Sequence, residues 1–314
     1  MEDLVLDPHD IYTVDEAAVA AELGPLAEAA EGAVGPVLIH ALRGFVDAGS
    51  TGELVLDHLQ GTLRSVRLVT FDVDQLLDYR SKRSTMTFAT DTWSDYDEPV
   101  LAIDHVRDAE GTGFLVLHGF EPDLQWERFV AAVAGLVERF GVSLTVTAHG
   151  VPMGVPHTRP MSVTAHGTRP ELVGDRTSWF GTVKVPASAA ALLELRLGQR
   201  GRDALGYAVH VPHYLAQSPY PPAAAVALDH VQRATGLDLA LGELDEDVRE
   251  AQVEVERQVA ESDEVAAVVH ALEEQYDAFS RSVGRTSLLA DSAPIPTADE
   301  LGAEFERYLQ QRGD

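Results

Sequence analysis

Short apolar runs bounded by turn residues alternate with amphipathic helical patterns along most of this 314-residue sequence, and that alternation restricts the possible folds more than any other feature. Strands are expected at Pro36–Leu42, Val66–Val73, Pro99–Val106, Gly113–His118, Ser143–Ala148 and Tyr207–Val211. Helices are expected over residues 51–63, after Asp123 as far as Phe140, and from Pro186 and Ser188 to about Leu197. Such alternation predicts an α/β fold, a three-layer α/β/α core with a mainly parallel sheet covered on both faces.

In that architecture ligands bind beyond the carboxyl ends of the strands. The unusual loops of the chain follow predicted strand ends: Gly44–Ser50, Gly119–Asp123, Gly150–Pro160 and Pro212–Pro222. They and their borders carry the candidate cleft residues Arg43, Asp47, Glu121, His157, Thr158, Arg159, His210 and His213. Histidine transfers protons near neutral pH, and arginine clamps carboxylates or phosphates. Asp47, Glu121, His157 and Arg159 are expected around one cleft. The competing reading makes Gly150–Pro160 a rigid structural loop, with Arg159 paired to an acid such as Asp47 or Glu121. Glu121 reads equally well as a helix cap and as an acid-base group. His210 and His213 lack an obvious third metal ligand, so no metal is assigned. Ser50 in Ala48-Gly49-Ser50-Thr51-Gly52 reads as a helix N-cap, because seven residues separate the strand end from the sharp turn a nucleophile would need.

Composition narrows the function. Acidic residues number 51 against 23 lysines and arginines, a formal charge of -28, which repels nucleic acid. Lysine occurs only at Lys82 and Lys184, and no G-x-x-x-x-G-K-[ST] loop is present. Gly111-Thr112-Gly113 precedes a strand where a dinucleotide fingerprint would follow one, so no cofactor is expected. No apolar run is long enough to span a membrane, cysteine is absent, and Met1-Glu2-Asp3-Leu4 is acidic where an export signal would be basic. A cytoplasmic protein is expected.

From about Leu244 the texture becomes helical and acidic, which divides the chain into a core over 1–243 and an extension over 244–314. Leu244, Val248, Ala251, Val255 and Val259 trace one apolar stripe; Val265, Val268, Val269, Leu272, Tyr276 and Phe279 trace another. These must bury against the core or against another subunit, and are not expected to supply the cleft's chemistry. A further helix is expected after Thr297-Ala298-Asp299-Glu300.

Taken together, Gly44-Phe45-Val46-Asp47-Ala48-Gly49, Gly119-Phe120-Glu121-Pro122 with Trp126, Gly150 to Pro160, and His210-Val211-Pro212-His213-Tyr214 to Pro219 resemble the proteasome assembly chaperone two family in its bacterial, actinobacterial-type branch. Pro221-Pro222-Ala223-Ala224 and Leu272 to Asp277 fit as well. The resemblance implies a core similar to nucleoside phosphorylases, a helical C-terminal addition and a homo-oligomer. It carries over no catalytic residues. Two functions stay open: a non-enzymatic assembly protein with a protein partner, or an enzyme or ligand sensor whose phosphorylase-like cleft binds a small anionic ligand.

Overall fold

A computed structural model of the chain describes residues 6–24, 35–174 and 182–283. A 3-10 turn at Pro8–Ile11 leads into β1 (Tyr12–Val14) and α1 (Glu16–Glu22), where the Asp15 carboxylate caps the helix by accepting from the Ala18 N–H at 2.9 Å. β2 (Val37–Arg43), α2 (Thr51–Thr62) and β3 (Arg64–Phe71) follow. A short turn of helix, α3 (Val73–Leu76), precedes a separate hairpin of β4 (Thr87–Ala89) and β5 (Thr92–Ser94). The chain continues through β6 (Leu101–Arg107), β7 (Gly113–Phe120), α4 (Trp126–Arg139) and β8 (Leu144–Met153). Next come β9 (Val163–Gly167), α5 (Pro170–Val173), α6 (Ala189–Gln199), β10 (Ala204–Pro212) and α7 (Pro221–Thr235). Two long helices, α8 (Asp245–Ala260) and α9 (Asp263–Val283), complete the described chain.

The eight-stranded sheet has the order β1-β3-β6-β7-β2-β8-β10-β9. Its centre, β7-β2-β8-β10, is parallel, so the loops after these four strands emerge at one edge. The flanking pairings, β1 with β3, β3 with β6, β6 with β7 and β10 with β9, are antiparallel. The mainly parallel character therefore holds at the centre, where βα crossovers cover both faces. The β6–β7 connection is too short to carry a crossover helix and folds back as a hairpin.

Alternation along each strand sends side chains to two separate cores. Ile39, Val146 and Val209 face α2 and α7, which contribute Val55, Leu56, Ala224 and Leu228. Leu38, Leu115 and Ala204 face α4 and α6, which contribute Phe129, Val133, Leu193 and Leu197. The result is the expected α/β/α sandwich. Buried Leu244 and Val255, with Val248 and Val259 packed beside them, extend the α7 core. The first apolar stripe of the extension is thus consumed within its own chain, because α7 presents an apolar outer flank that α8 covers. The expected helix after Thr297 lies outside the described residues.

Predicted boundaries hold within a few residues for the central elements. Sequence reading missed β1, α1, the β4–β5 hairpin and β9, which are short or peripheral, and it also missed the core helix α7, which Pro221 and Pro222 open at the end of what reads as a loop. It also ended the fifth strand at Ala148, whereas β8 runs on to Met153. Leu228 is fully buried on α7. Leu228→Ala should lower the unfolding free energy by about 2–5 kcal/mol in chemical denaturation.

Candidate functional site

Asp47, just beyond β2, spends its carboxylate on backbone. One oxygen accepts from the Gly52 N–H at 2.9 Å and from the Gly150 N–H at 3.0 Å, and the other from Gly52 and from Glu53 at 3.2 Å. It therefore caps α2 and fastens the loop after β2 to β8 in a single interaction. Ser50, expected as that cap, makes no side-chain capping bond and sits in a left-handed conformation with φ 49°. The chain reverses at Ser50, which aims the earlier acid at the helix end.

Close packing supports this junction. A Cβ on Gly150 would lie 2.0 Å from the Ala48 carbonyl oxygen, so only glycine permits the approach. Gly49, at φ 67°, donates its N–H to the Ala216 carbonyl at 2.9 Å, and its carbonyl accepts from the Tyr220 N–H at 2.8 Å. The loops after β2, β8 and β10 are cross-braced.

Glu121, after β7, serves the opposite layer. Its buried carboxylate accepts from the Ala189 N–H at 2.6 Å, at the start of α6, and not from the helix that follows it in sequence. Burial pushes the Glu121 carboxyl up, against the opposing pull of that N–H and of the Lys82 ammonium. Lys82 donates to the Glu121 carbonyl at 2.7 Å and pairs with Asp123 at 3.2 Å. Arg43 pairs with Glu53 at 3.5 Å, and its guanidinium lies over the Phe120 ring.

His157, Thr158 and Arg159 turn towards the C-terminal helix. Arg159 forms a bidentate pair with Asp277, both contacts at 2.9 Å, and reaches Glu273 at 3.2 Å. Thr158 donates to Glu273, and the Tyr276 hydroxyl donates to the Pro160 carbonyl at 3.1 Å. The acid partner of Arg159 is therefore neither Asp47 nor Glu121, both already committed to backbone N–H groups. The C-terminal helix α9 supplies both carboxylates, because its turns present residues 273 and 277 on one face. The salt bridge holds the Asp277 carboxyl below the usual range.

The two histidine-proline motifs meet at Tyr214. Its hydroxyl accepts from the His157 N–H at 2.9 Å and lies 2.7 Å from His157 Nδ1. Burial pushes the His157 imidazole down and the Tyr214 phenol up, which favours the neutral form of both groups. His210, fully buried, contacts the Thr164 hydroxyl at 2.8 Å, and burial pushes it down to about 4. His213 is exposed, edge-on to Tyr214. Among the described residues no group of three histidine or acidic side chains is placed to hold a metal ion, and no helix is long and apolar enough to cross a membrane. Sequence reading missed Lys82, Tyr214, Glu273 and Asp277 as partners, although the last three stand within segments it singled out. All four act across more than thirty residues of chain, beyond the reach of local pattern.

Fold and site together define an α/β/α protein whose strand-end loops are braced to one another and to its own C-terminal helices. Residues 41–259 match the PAC2 family model, and the chain belongs to that family. It is similar to a Mycobacterium tuberculosis protein of unknown function, at 45% identity over 88% of this chain and 92% of that one, with a TM-score of 0.82. A Corynebacterium glutamicum protein of unknown function is 39% identical over 85% of this chain and 97% of its own, with a TM-score of 0.77. A proteasome-assembly chaperone homologue from Mycobacterium tuberculosis shares the fold at 22% identity, covering 74% of this chain and 99% of its own, with a TM-score of 0.68. No curated protein matches the chain.

Two consequences are measurable. The folded chain holds the Glu121 proton more tightly than the unfolded chain, so this contribution is full below the unfolded pKa and is lost as pH rises through the folded one. Melting curves from about pH 4 to about pH 7 should show the wild type losing stability relative to Glu121→Gln as pH rises. Arg159→Ala should leave global melting nearly unchanged, because the pair is partly exposed, and should speed amide exchange selectively across α9.

Proposed function

We propose that this chain is a non-enzymatic, cytoplasmic protein-binding protein of the assembly-chaperone type, working as a homo-oligomer. The observation that carries this reading is how the strand-end edge distributes its polarity. The candidate polar groups there are engaged within the chain: Asp47 with three backbone N–H groups, Glu121 with Ala189, Arg159 with two carboxylates. Beside them Phe45, Val46 and Leu124, on the loops after the neighbouring strands β2 and β7, stand 39%, 44% and 51% exposed. An edge that neutralises its charges internally and offers apolar side chains outward suits a protein partner better than a small anion. The -28 charge further opposes capture of an anionic ligand. The α9 helix then braces the loop after β8 in place of catalysing anything. Membership of the family, and the fold shared with a proteasome-assembly chaperone homologue, support proteasome subunits as the partner.

Mixing the full chain with separated proteasome α- and β-type subunits tests the reading directly. Native mass spectrometry should detect a complex, and Phe45→Ser with Val46→Ser should weaken it about tenfold or more. Absence of any complex, together with an unchanged rate of proteasome assembly, would refute it.

A further inference from the structure

The two faces of the sheet differ in chemistry at the β2-β8-β10-β9 end. Towards α2 and α7 these strands present apolar residues such as Ile39, Val146 and Val209. Towards α6 one row runs, by register, from His40 on β2 through Thr147 on β8 and Gly206 on β10 to His166 on β9. His149 stands two residues beyond Thr147 and so on the same face, its ring centroid 6.4 Å from that of His166. A Cβ on Gly206 would fall 2.1 Å from the His166 ring, so only glycine lets that imidazole lie across β10. His40 is 2% exposed, and its Nδ1 has no hydrogen-bond partner among the described residues. A buried polar atom left without a partner in a folded chain calls for a reason.

Few charges surround the three rings. His166 Nδ1 lies 2.8 Å from Glu194 on α6. Glu194 and Asp47 both favour a proton on His149, whereas His149 and His166 oppose one on His40. Asp47 is already committed to backbone N–H groups. β10 contributes the uncharged Gly206 and Ala208, and then His210, which contacts Thr164. Between α4 and α6, Glu127 pairs with Arg196 at the surface. From the end of β7, Glu121 holds the start of α6 at Ala189. Burial, reinforced by the neighbouring imidazoles, pushes His40 down to about 4 and lowers His149 as well.

A proton on His40 or His149 places a cation in this layer, beside other imidazoles and with Glu194 already bound to His166. Water reaches that cation only where α6 or β9 gives way. β2 and β8 are paired along both edges, whereas β9 pairs with β10 alone and α6 covers a single face. The outer flank therefore yields first.

We infer that His40, His149 and His166 form a proton-operated latch: neutral, they let α6 and β9 close over the sheet, and protonated, they release that flank while α2 and α7 stay in place on the opposite face. The opened flank binds protons at the ordinary histidine value and the closed one does not, so closure is complete at neutral pH and is lost as pH falls. Glu121 works in the opposite sense, because burial raises its carboxyl. The latch is independent of the binding role proposed above.

Hydrogen exchange on the full-length protein, corrected for the intrinsic pH dependence of the amides, tests it. Between pH 7 and pH 5, protection across β9 and α6 should fall about tenfold or more, while that of α2 and α7 holds. In His40→Gln with His149→Gln the fall should shrink to about threefold or less. If that variant does not fold at pH 7, His149→Gln with His166→Gln, which alters the more accessible rings, replaces it and should likewise reduce the fall. Imidazole proton NMR gives a second reading on the wild type: the resonance missing from His149→Gln should belong to a ring that stays neutral below about pH 6. Protection of β9 and α6 that persists to pH 5 as firmly as that of α2 and α7 would overturn the latch. So would an equal loss in wild type and variants, or a His149 ring that titrates at the ordinary histidine value.

Discussion

Asp47 gathers the N–H groups of Gly52, Glu53 and Gly150 on one carboxylate, and the strand-end edge is organised around that arrangement. Parallel strands leave the sheet side by side, so loops after β2, β8 and β10 compete for the same volume. A charged acceptor that satisfies orphan donors of α2 and also takes a donor from β8 settles the competition. The near contact of Gly150 with Ala48, and the two backbone bonds of Gly49, are possible only with the loops in that arrangement. With the β2 loop held, β8 can run to Met153 and direct the following turn away from the sheet.

That turn then becomes the mooring of the C-terminal helices. α8 is attached by apolar burial against α7, whereas α9 is attached to His157–Pro160 chiefly by polar contacts. The two attachments differ in kind. Apolar burial is not weakened by charge screening, while a partly exposed bidentate pair weakens as ionic strength rises. The extension therefore has a firm inner helix and a more readily loosened outer one, and the loosened helix is the one that covers the most distinctive loop in the sequence.

Much of the central fold was legible from residue pattern. The strands β2, β6, β7, β8 and β10 announce themselves as apolar runs, α4 as a periodic apolar stripe, and α6 as a helix opened by Ser188. The antiparallel margins were not legible, because β1 and β9 are short and pair through backbone groups that every residue possesses. The site was legible as a set of segments and not as a set of contacts. Glu121 looked like the cap of the helix just after it and instead caps α6, almost seventy residues away. Arg159 looked like the partner of a strand-end acid such as Asp47 or Glu121 and instead pairs with Asp277 on α9.

The physical reason is the range of the interactions concerned. Hydrophobic periodicity follows from the geometry of a single helix or strand, so the residue pattern alone specifies the layers, the acidic character, and the glycines and prolines that shape the turns. Which carboxylate meets which donor depends on where separate elements come to rest, and that is settled by packing of the two cores. Asp47, Glu121 and Arg159 were each identifiable as chemically unusual for their positions. Their partners, Gly150, Ala189 and Asp277, were not, since a backbone N–H or one acid among 51 has no distinguishing mark until the fold brings it within 3 Å.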